Sequence, residues 1–330
     1  MRILVTGAAG FIGAHLARRL LGDGHEVWGI DNFNAYYDVA LKRHRWDRLD
    51  GLRGVEIDIR DAEALHAVFA DARPERVFHF AAQAGVRYSL HAPRDYLSTN
   101  IDGTFNVLEA CTAHRVGHLV FSSTSSAYGA REDAPFRETD RAAHPVSLYA
   151  ASKIAGEAIA HSQSHLHDLP ISALRFFTVY GPEGRPDMAP HLFTERILAG
   201  EPIDVFNHGD MARDFTFIDD LVTAAIRVGK SPPERGVRVC TSDPISPVAP
   251  FRTVNIGGSA PTQLLAFIHA LESATGKTAR IVNKAMQPGD VRVTHADPTV
   301  LRALTGYVPQ TGIRAGTQAY VDWFRGYYRN

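Results

Sequence analysis

The fold of this chain is decided by the stretch Arg2-Ile3-Leu4-Val5-Thr6-Gly7-Ala8-Ala9-Gly10-Phe11-Ile12-Gly13. Its first residues have the apolar character of a buried strand, and a helical spacing of apolar residues begins at Phe11. Glycines between such a strand and helix permit a tight turn, a close approach of backbone amides to a pyrophosphate and close packing of the helix on the strand. The N-terminus of the helix then faces the phosphates. The stretch therefore predicts a nucleotide-binding strand–loop–helix unit.

The context of this loop favours a dinucleotide over a turn without a ligand. The glycine spacing matches the usual fingerprint only loosely, but Asp31 ends the next predicted strand about 20 residues further on. A carboxylate there accepts hydrogen bonds from the adenosine ribose and repels a 2′-phosphate, and Asn32 adds no cation, so NAD is predicted rather than NADP. Asp58 and Ile59 are predicted beside the adenine, with a surface loop as the alternative for Asp58.

Continuous apolar strands alternate with helical patterns through the first half of the chain. Such alternation is typical of a parallel sheet with helices on both faces, so the predicted fold class is a doubly wound α/β (Rossmann) sheet with a smaller C-terminal α/β lobe. Strands are predicted over residues 2–6, 26–31, 55–59, 76–80, 118–123 and 171–176. Helices are predicted over residues 11–21, 62–69, 93–114, 148–167, 191–199, 262–275 and 313–328.

The domain organisation follows from where this regularity weakens. We expect residues 1–176 to form the NAD-binding Rossmann domain and residues 177–330 a lobe that mainly binds substrate. The chain is expected to cross between the two. A Pro-rich stretch over residues 231–250 is predicted to be a surface excursion.

The composition excludes several classes of function. The 35 Lys and Arg residues nearly balance the 36 Asp and Glu residues, so neither a nucleic acid nor an anionic membrane surface is an expected partner. The apolar runs are too short for a membrane span. The chain enters a strand at once, which leaves no room for a signal peptide, and Cys111 and Cys240 are read as reduced. A cytoplasmic protein is therefore expected.

Tyr149 and Lys153 are the candidate catalytic pair. They stand four residues apart at the start of a predicted helix, so both side chains project from one helix face. A nearby cation favours phenolate over phenol and lowers the pKa of a tyrosine, which could then act as a base at neutral pH. A solvated helix face is the commoner meaning of such a pair. The glycine loop and the hydroxyl cluster around Thr124 favour the catalytic interpretation.

Together, Gly7, Gly10, Gly13, Thr124, Tyr149 and Lys153 resemble the extended short-chain dehydrogenase/reductase family, in its nucleotide-sugar-modifying branch. The runs His79-Phe80-Ala81-Ala82-Gln83 and Phe121-Ser122-Ser123-Thr124-Ser125-Ser126-Ala127-Tyr128-Gly129 match that branch, as does Asn100. The resemblance implies that Thr124 hydrogen-bonds the reacting sugar oxygen, that Tyr149 is the acid/base, and that Lys153 lowers its pKa and binds the nicotinamide ribose. The implied NAD contacts are Gly7, Gly10, Phe11, Ile12, Gly13, Asp31, Asn32, Asp58, Ile59, Ala81, Tyr149 and Lys153.

Further segments are similar to the UDP-glucuronate 4-epimerases in particular. They are Asn34-Ala35-Tyr36-Tyr37-Asp38-Val39-Ala40-Leu41-Lys42-Arg43, Arg175-Phe176-Phe177-Thr178-Val179-Tyr180-Gly181-Pro182, Gly184-Arg185-Pro186-Asp187 and Gln287-Pro288-Gly289-Asp290-Val291. This resemblance implies an isomerase that interconverts UDP-glucuronate and UDP-galacturonate through a transient 4-keto sugar. NADH returns the hydride to the opposite face of that sugar, which regenerates NAD in place. A 4-keto uronate can lose its carboxylate as carbon dioxide, so an epimerase has to hold that group out of alignment with the ketone.

The substrate contacts are predicted on the same basis. Ser125, Ser126 and Thr178 could donate hydrogen bonds to the sugar carboxylate, and Arg185 could add a charge-assisted contact. Loop capping is the alternative for the two serines, and ordering of its own loop is the alternative for Arg185. For the UDP moiety, the resemblance implies Arg213 at the pyrophosphate and Asp290 at the uridine ribose. Arg87 is a further diphosphate candidate.

The chain departs from the family pattern at three positions. Many relatives carry arginine at Gln287, and glucuronate epimerases often carry proline at Arg292. Epimerases of neutral hexoses carry asparagine where Thr178 stands, which favours an acidic sugar here.

Other functions are alternatives to a UDP-glucuronate 4-epimerase. UDP-glucuronate decarboxylases and sugar 4,6-dehydratases usually carry an acidic residue directly after the threonine, where this chain has Ser125. A UDP-glucose-type 4-epimerase is harder to separate, because a hydroxyl-lined pocket also suits a neutral sugar. A non-catalytic NAD-binding scaffold remains as a different class, although such a protein has no need of Tyr149.

Two more expectations concern the helices. His161, His165 and His167 have no accompanying carboxylate or cysteine cluster, so we expect a solvated helix face and no metal. In the family, the helices over 93–114 and 148–167 commonly form a dimer interface, so the resemblance implies a homodimer.

Overall fold

A seven-stranded parallel sheet lies at the centre of the protein, within residues 1–131, 133–258, 260–286 and 290–328, which the computed structural model describes. The strands there are β1 Arg2–Thr6, β2 Glu26–Asp31, β3 Arg53–Glu56, β4 Arg76–His79, β5 His118–Thr124, β6 Ile171–Phe176, β7 Thr178–Tyr180, β8 Pro202–Phe206, β9 Ala212–Arg213, β10 Phe215–Phe217, β11 Phe251–Ile256, β12 Thr262–Gln263 and β13 Arg280–Lys284. The α-helices are α1 Phe11–Gly22, α2 Val39–Trp46, α3 Ala62–Ala72, α4 Pro93–Leu97, α5 Thr104–Ala113, α6 Leu148–His167, α7 Ala189–Ala199, α8 Ile218–Gly229, α9 Leu264–Thr275, α10 Thr299–Thr305 and α11 Ile313–Tyr328.

The strand order across the sheet is β11-β6-β5-β4-β1-β2-β3, and all neighbouring strands are parallel. From β1 the chain runs outward through β2 and β3, and then crosses back to β4 on the other side of β1. The loops after β1 and β4 therefore diverge at a reversal of strand order, which is where open α/β sheets bind ligands. The predicted fold class is confirmed.

Two strands of the sheet differ from the sequence-based prediction. Strand β3 covers Arg53–Glu56 instead of residues 55–59, so Asp58 and Ile59 lie in the loop beyond its carboxyl end. Strand β11 is not predicted, because the charged Arg252 stands inside it directly after a Pro-rich stretch. In the structure Arg252 Nε donates to Asp243 Oδ1 at 2.9 Å, and this buried ion pair lets an arginine occupy a buried strand.

The helices agree with the prediction except where sequence signals fail. Helix α6 has the predicted bounds, whereas a π-helix over Ser98–Gly103 separates α4 from α5 inside the helix predicted over 93–114. Helix α2 is not predicted because the polar Lys42 and Arg45 lie on its buried face. Helices α8 and α10 are also not predicted, and both begin without a capping side chain that would mark their start. None of the described helices is long and apolar enough to cross a membrane.

The two faces of the sheet carry separate apolar layers. Along β5, Val120 packs with the layer that contains Leu16 of α1 and Leu221 of α8. Its neighbours Leu119 and Phe121 point to the opposite layer, which contains residues of α3, α5 and α6. This alternation on a strand buried on both faces is the geometry of a doubly wound sheet.

A smaller lobe follows β6 in the chain. Its strands pair two by two, β7 with β10, β9 with β12 and β8 with β13, and its core includes the stacked rings of Phe215 and Phe267 at 4.5 Å. Strand β11 returns from this half of the chain to pair with β6. A boundary at residue 176 stays a prediction, and we propose that the two lobes share the sheet through β11.

Candidate active site

A cleft of about 990 Å³ opens beyond the carboxyl ends of the central strands. Every site residue predicted from the sequence contributes to its lining except Asp58 and Arg213. The residues predicted for cofactor, catalysis and sugar carboxylate therefore share one cavity. Its size suits a dinucleotide together with a second ligand.

The glycine loop between β1 and α1 has room for backbone only. Gly7 has φ +76°, and a Cβ there would lie 2.7 Å from the amide nitrogen of Ala81. A Cβ on Gly13 would overlap the carbonyl oxygen of Gly7. The first helical hydrogen bond runs from Ala14 N to Gly10 O at 2.9 Å. The preceding amides of the first turn lack helical acceptors and lie at the cleft, so the loop fits a pyrophosphate.

Asp31 lies at the end of β2 and is buried. Its Oδ2 accepts a hydrogen bond from Ala9 N at 3.0 Å, and its Oδ1 accepts one from Phe33 N at 2.9 Å. Burial raises the pKa of this carboxyl group, and the nearby Lys42 ammonium opposes the shift. The carboxylate is held rigidly at the cleft with lone pairs left for ribose hydroxyls.

Asp58 does not line the cleft, but it hydrogen-bonds Asn32, which does. It accepts hydrogen bonds from Arg60 Nη2 at 2.7 Å and from Asn32 Nδ2 at 2.8 Å. Burial acts to raise its pKa, but these hydrogen bonds outweigh burial and lower the pKa to about 2. Asp58 therefore positions Asn32, while Ile59 beside it lines the cleft.

Tyr149 lies in the first turn of α6, behind the capping side chain of Ser147, which accepts from Ala150 N at 3.1 Å. Burial raises the pKa of its phenol, and a hydrogen bond with Thr124 and the charge of Arg185 oppose that shift. That Lys153 lowers the pKa of Tyr149 stays a prediction. In the structure the Nζ of Lys153 donates to Ser122 O at 2.8 Å.

Lys153 is itself a strongly perturbed group, with only 2% of its surface exposed. Burial lowers its pKa to about 7, and Glu157 one helical turn later opposes this shift. Glu157 is held in turn by Arg175 Nη2 at 2.8 Å and by Ser123 Oγ at 2.5 Å. Buried, perturbed titratable groups in a cleft are typical of active sites.

Thr124 is the last residue of β5 and lines the cleft together with Tyr149 and Lys153. Its Oγ1 accepts a hydrogen bond from Ser126 N at 3.1 Å and so caps the short 3-10 helix Ser125–Tyr128. The cap is therefore made by the threonine, and Ser125 and Ser126 both line the cleft. Asn100 supports α6 from the other side, because its Nδ2 donates to Ser152 Oγ at 2.9 Å.

Arg185 lies in the loop between β7 and α7, with 21% of its side chain exposed. Its Nε donates to Asp187 Oδ1 at 3.0 Å and its Nη2 to Asp187 Oδ2 at 2.5 Å. Tyr36 donates its hydroxyl to the same Oδ2 at 2.8 Å. Sequence reasoning assigned no role to Tyr36 or Asp187, although both stand in the segments that resemble the epimerases.

Two of the three residues predicted for UDP, Arg87 and Asp290, meet in the cleft. Arg87 Nη2 lies 3.5 Å from Asp290 Oδ2, and both residues line the cavity. Arg213 does not belong to the lining, and its Nη1 donates to Arg292 O at 3.2 Å. Burial lowers the pKa of Arg213, and the charge of Asp290 opposes that shift. The segment 287–289, which includes Gln287, lies outside the described residues.

The histidines of α6 bind the Pro-rich excursion. His161 Nε2 lies 2.8 Å from Ser246 Oγ, and His165 Nδ1 lies 2.7 Å from Val248 O. His161 is half-buried in this contact, whereas His165 and His167 are exposed, as expected for a solvated helix face. Among the described residues, no cluster of His, Cys, Asp or Glu could hold a metal ion.

Residues 3–239 match the model of the NAD dependent epimerase/dehydratase family. The chain belongs to this family. The matched residues include the glycine loop and the Tyr149/Lys153 pair, so the resemblance found in the sequence is confirmed. In this family member, both features line the same cleft.

Three similar proteins cover the length of this epimerase/dehydratase. A probable UDP-glucuronate 4-epimerase of Rhizobium meliloti is 46% identical, over 100% of this chain and 98% of the relative. The structure of a Bacillus cereus UDP-glucuronic acid 4-epimerase, in complex with UDP-glucuronic acid and NAD, has a TM-score of 0.88 and 32% identity, over 99% and 100%. The structure of a Thermotoga maritima UDP-glucose 4-epimerase with UDP-glucose has a TM-score of 0.85 and 31% identity, over 99% and 99%.

Proposed function

We propose that this protein is an NAD-dependent 4-epimerase that interconverts UDP-glucuronate and UDP-galacturonate. The observation that carries the proposal is that Tyr149 and Arg185 line one cleft, so an acid/base and a carboxylate-binding cation face the same ligand. The Rhizobium meliloti and Bacillus cereus proteins, both named for this activity, support the choice.

The residues of the cleft fit NAD. The amides at the start of α1 receive the pyrophosphate, and Asp31 receives the adenosine ribose hydroxyls. The charge of Asp31 disfavours a 2′-phosphate. NAD, when bound, supplies reversible two-electron oxidation at carbon 4 of the sugar.

Tyr149 moves the proton of this reaction. Its phenolate takes the proton of the 4-hydroxyl as the ketone forms, and its phenol returns that proton to the same oxygen after the sugar has turned. Thr124 hydrogen-bonds Tyr149 and stabilises the phenolate against the effect of burial. We propose that Lys153, one helical turn away, lowers the pKa of Tyr149 when its ammonium is protonated.

The carboxylate of the sugar needs separate control. In the 4-keto sugar, carbon dioxide leaves most readily when the breaking bond aligns with the π system of the ketone. We propose that Arg185, Thr178, Ser125 and Ser126 hold the carboxylate out of that alignment by charge-assisted hydrogen bonds. All four residues line the cleft.

For the UDP moiety we propose Arg87 and Arg213 at the diphosphate and Asp290 at the uridine ribose. In the structure Asp290 attracts both arginines, because it lies 3.5 Å from Arg87 and opposes the burial effect on Arg213. A diphosphate between the two guanidinium groups would satisfy them with bidentate contacts.

A UDP-glucose-type 4-epimerase is the second candidate, and the similarity to the Thermotoga maritima enzyme favours it. The two candidates share Tyr149 and differ in the need for Arg185. A non-catalytic scaffold is tested by Tyr149→Phe. We expect that variant to keep its NAD and lose turnover by about 10²–10⁴-fold, because only the proton transfer is removed. Unchanged turnover would refute the assignment of the base.

We also propose that the protein forms a homodimer through α4, α5 and α6. Leu97 of α4 is 42% exposed and Leu166 of α6 is 66% exposed, and a dimer through these helices would cover exposed apolar side chains of this kind. Light scattering on the purified protein measures its mass and tests the proposal. A cytoplasmic location is proposed from the two free thiols, Cys111 and Cys240.

One assay tests the proposed function directly. The purified protein is incubated with UDP-glucuronate without added NAD, and the nucleotide sugars are separated. We expect UDP-galacturonate, because NAD is regenerated in each cycle and stays bound. UDP-pentose as the main product, or unchanged substrate with protein that contains NAD, would refute the proposal.

A further inference from the structure

Arg185, Asp187 and Tyr36 form one hydrogen-bonded group, which we call the Arg185 clasp. Asp187 takes the Nε and Nη2 groups of Arg185 with its two carboxylate oxygens, at 3.0 and 2.5 Å. A guanidinium is a rigid fork, so this bidentate contact fixes its orientation. The N–H groups on the side of Nη1 point away from Asp187, and the Tyr36 hydroxyl is a further hydrogen-bond partner of Arg185.

Tyr36 joins the clasp to the loop that follows the cofactor-binding Asp31. Its hydroxyl donates to Asp187 Oδ2 at 2.8 Å, across 151 positions of sequence. The tyrosine is fixed in turn, because its backbone N donates to Asn34 Oδ1 at 2.8 Å and Asn34 Nδ2 donates to Gln83 Oε1 at 3.2 Å. A Cβ on Gly85 would overlap the Tyr36 hydroxyl. The clasp therefore connects loops after β2, β4 and β7.

The pKa shifts within the clasp favour an ionised Asp187 and a neutral Tyr36. Burial acts to raise the pKa of Asp187, but the Arg185 guanidinium outweighs it and holds the pKa below its usual range. Burial raises the pKa of Tyr36, and the charge of Asp187 adds to that shift. The Tyr36 hydroxyl therefore stays protonated and remains a hydrogen-bond donor. The arginine, Asp187 and Tyr36 all line the cleft.

We propose that Asp187 and Tyr36 are positioning residues that aim Arg185 at the carboxylate of a uronate sugar. They thereby determine the specificity for an acidic sugar and keep the 4-keto sugar from losing its carboxylate as carbon dioxide. The inference rests on the proposed function. With the Nε–Nη2 edge occupied, the sugar carboxylate meets Arg185 in one orientation only. A free arginine would still attract the carboxylate but would let it rotate into the alignment that favours decarboxylation.

The test compares Asp187→Asn, Tyr36→Phe and wild type. The first readout is product partitioning, the UDP-pentose and carbon dioxide formed per UDP-galacturonate. We expect Asp187→Asn to raise this ratio by about tenfold, the effect of losing one charge-assisted contact. Tyr36→Phe keeps every charge and loses one hydrogen bond, so we expect a smaller rise in the same direction.

A matched control lies outside the cleft. Arg131 and Asp133 have the same spacing and the same bidentate contact, Nε to Oδ1 at 3.0 Å and Nη2 to Oδ2 at 2.6 Å. Asp133→Asn should leave the partitioning of wild type unchanged. A rise in this variant equal to that in Asp187→Asn would overturn the proposal.

The second readout is the ratio of affinities for UDP-glucuronate and UDP-glucose, measured by calorimetry. We expect it to fall in Asp187→Asn and Tyr36→Phe. If Asp187 merely competes with the substrate carboxylate, Asp187→Asn would raise this ratio without changing the products, which would overturn the proposal. Failure of the proposed function is seen separately, because wild type itself would then form no UDP-galacturonate.

Discussion

Glu157 and Arg175 form a buried bidentate ion pair one helical turn beyond Lys153. Arg175 Nε lies 3.0 Å from Glu157 Oε1 and its Nη2 lies 2.8 Å from Oε2. The two side chains are 10% and 6% exposed. The pair connects β6 to α6, the helix that carries both Tyr149 and Lys153, so the position of the catalytic pair depends on a contact outside the cleft.

We expect Glu157→Ala to destabilise the protein by about 3–5 kcal/mol, because it leaves the buried charge of Arg175 without its carboxylate. The measurement is the free energy of unfolding from urea denaturation. Asp133→Ala, which breaks the exposed Arg131 ion pair, is the control and should cost about 0–1 kcal/mol. Similar losses in the two variants would contradict the structural role of Glu157.

The glycine loop gives a second prediction. Gly13→Ala places a methyl group against the Gly7 carbonyl, so the helix has to move away from the phosphate site. We expect loss of bound NAD and a destabilisation of about 1–3 kcal/mol. Gly22→Ala in the same helix has no neighbour within 4 Å and should keep NAD at the wild-type level. NAD released on denaturation is measured by absorbance, and retention of wild-type NAD by Gly13→Ala would count against the phosphate assignment.

Much of this site could be predicted because strand ends in a parallel sheet meet at one edge. Gly7, Asp31 and Thr124 each follow or end a buried apolar strand, so their meeting in one cleft follows from topology. The Arg185 clasp could not be predicted in the same way. Tyr36 and Asp187 are polar residues in loops 151 positions apart, and no local pattern pairs them.

Charged residues inside the fold explain why strand β11 and helix α2 are not predicted from the sequence. Arg252 in β11, and Lys42 and Arg45 in α2, interrupt the apolar pattern that sequence reasoning follows. Each has a hydrogen-bond partner inside the fold. Lys42 Nζ donates to Asn34 O at 2.6 Å, and Arg45 donates through Nη1 to Ala9 O at 3.2 Å. Binary patterning assigns such residues to the surface, so the elements that contain them escape prediction.

His118 supplies a prediction about acid stability. It is buried in β5 with Nδ1 3.0 Å from Gly229 O and Nε2 3.0 Å from Ser172 Oγ. Burial lowers its pKa from 6.5 to about 3, while Gly229 opposes the shift. Between these pH values the unfolded chain binds the proton and the folded protein does not, so stability falls as the pH falls from 6.5 toward 3.

We therefore expect His118→Gln to lose part of the acid sensitivity of wild type. The slope of unfolding free energy against pH should decrease by about 1.4 kcal/mol per pH unit inside that window. Urea denaturation at a series of pH values provides the slope. His167→Gln, at the exposed end of α6, is the control. An unchanged slope for His118→Gln would show that this histidine does not carry the effect.

Thr178 tests the control of the sugar carboxylate without changing any charge. It begins β7, lines the cleft, and is held by its backbone N, which donates to Asp214 O at 3.0 Å. Thr178→Val keeps the shape of the side chain and removes only the hydroxyl, so the strand should be undisturbed. We expect the carbon dioxide formed per UDP-galacturonate to rise by about tenfold or more, because one hydrogen bond to a charged group contributes about 1.5–3 kcal/mol.

The control for this variant is Thr216→Val on the neighbouring strand β10. Thr216 pairs with Val179 in the sheet, is buried, and does not belong to the cleft lining. It should leave the product ratio at the wild-type value, because its hydroxyl lies outside the site. Equal partitioning in Thr178→Val and wild type would remove Thr178 from the carboxylate contacts, and would leave Arg185 and the two serines to hold the group.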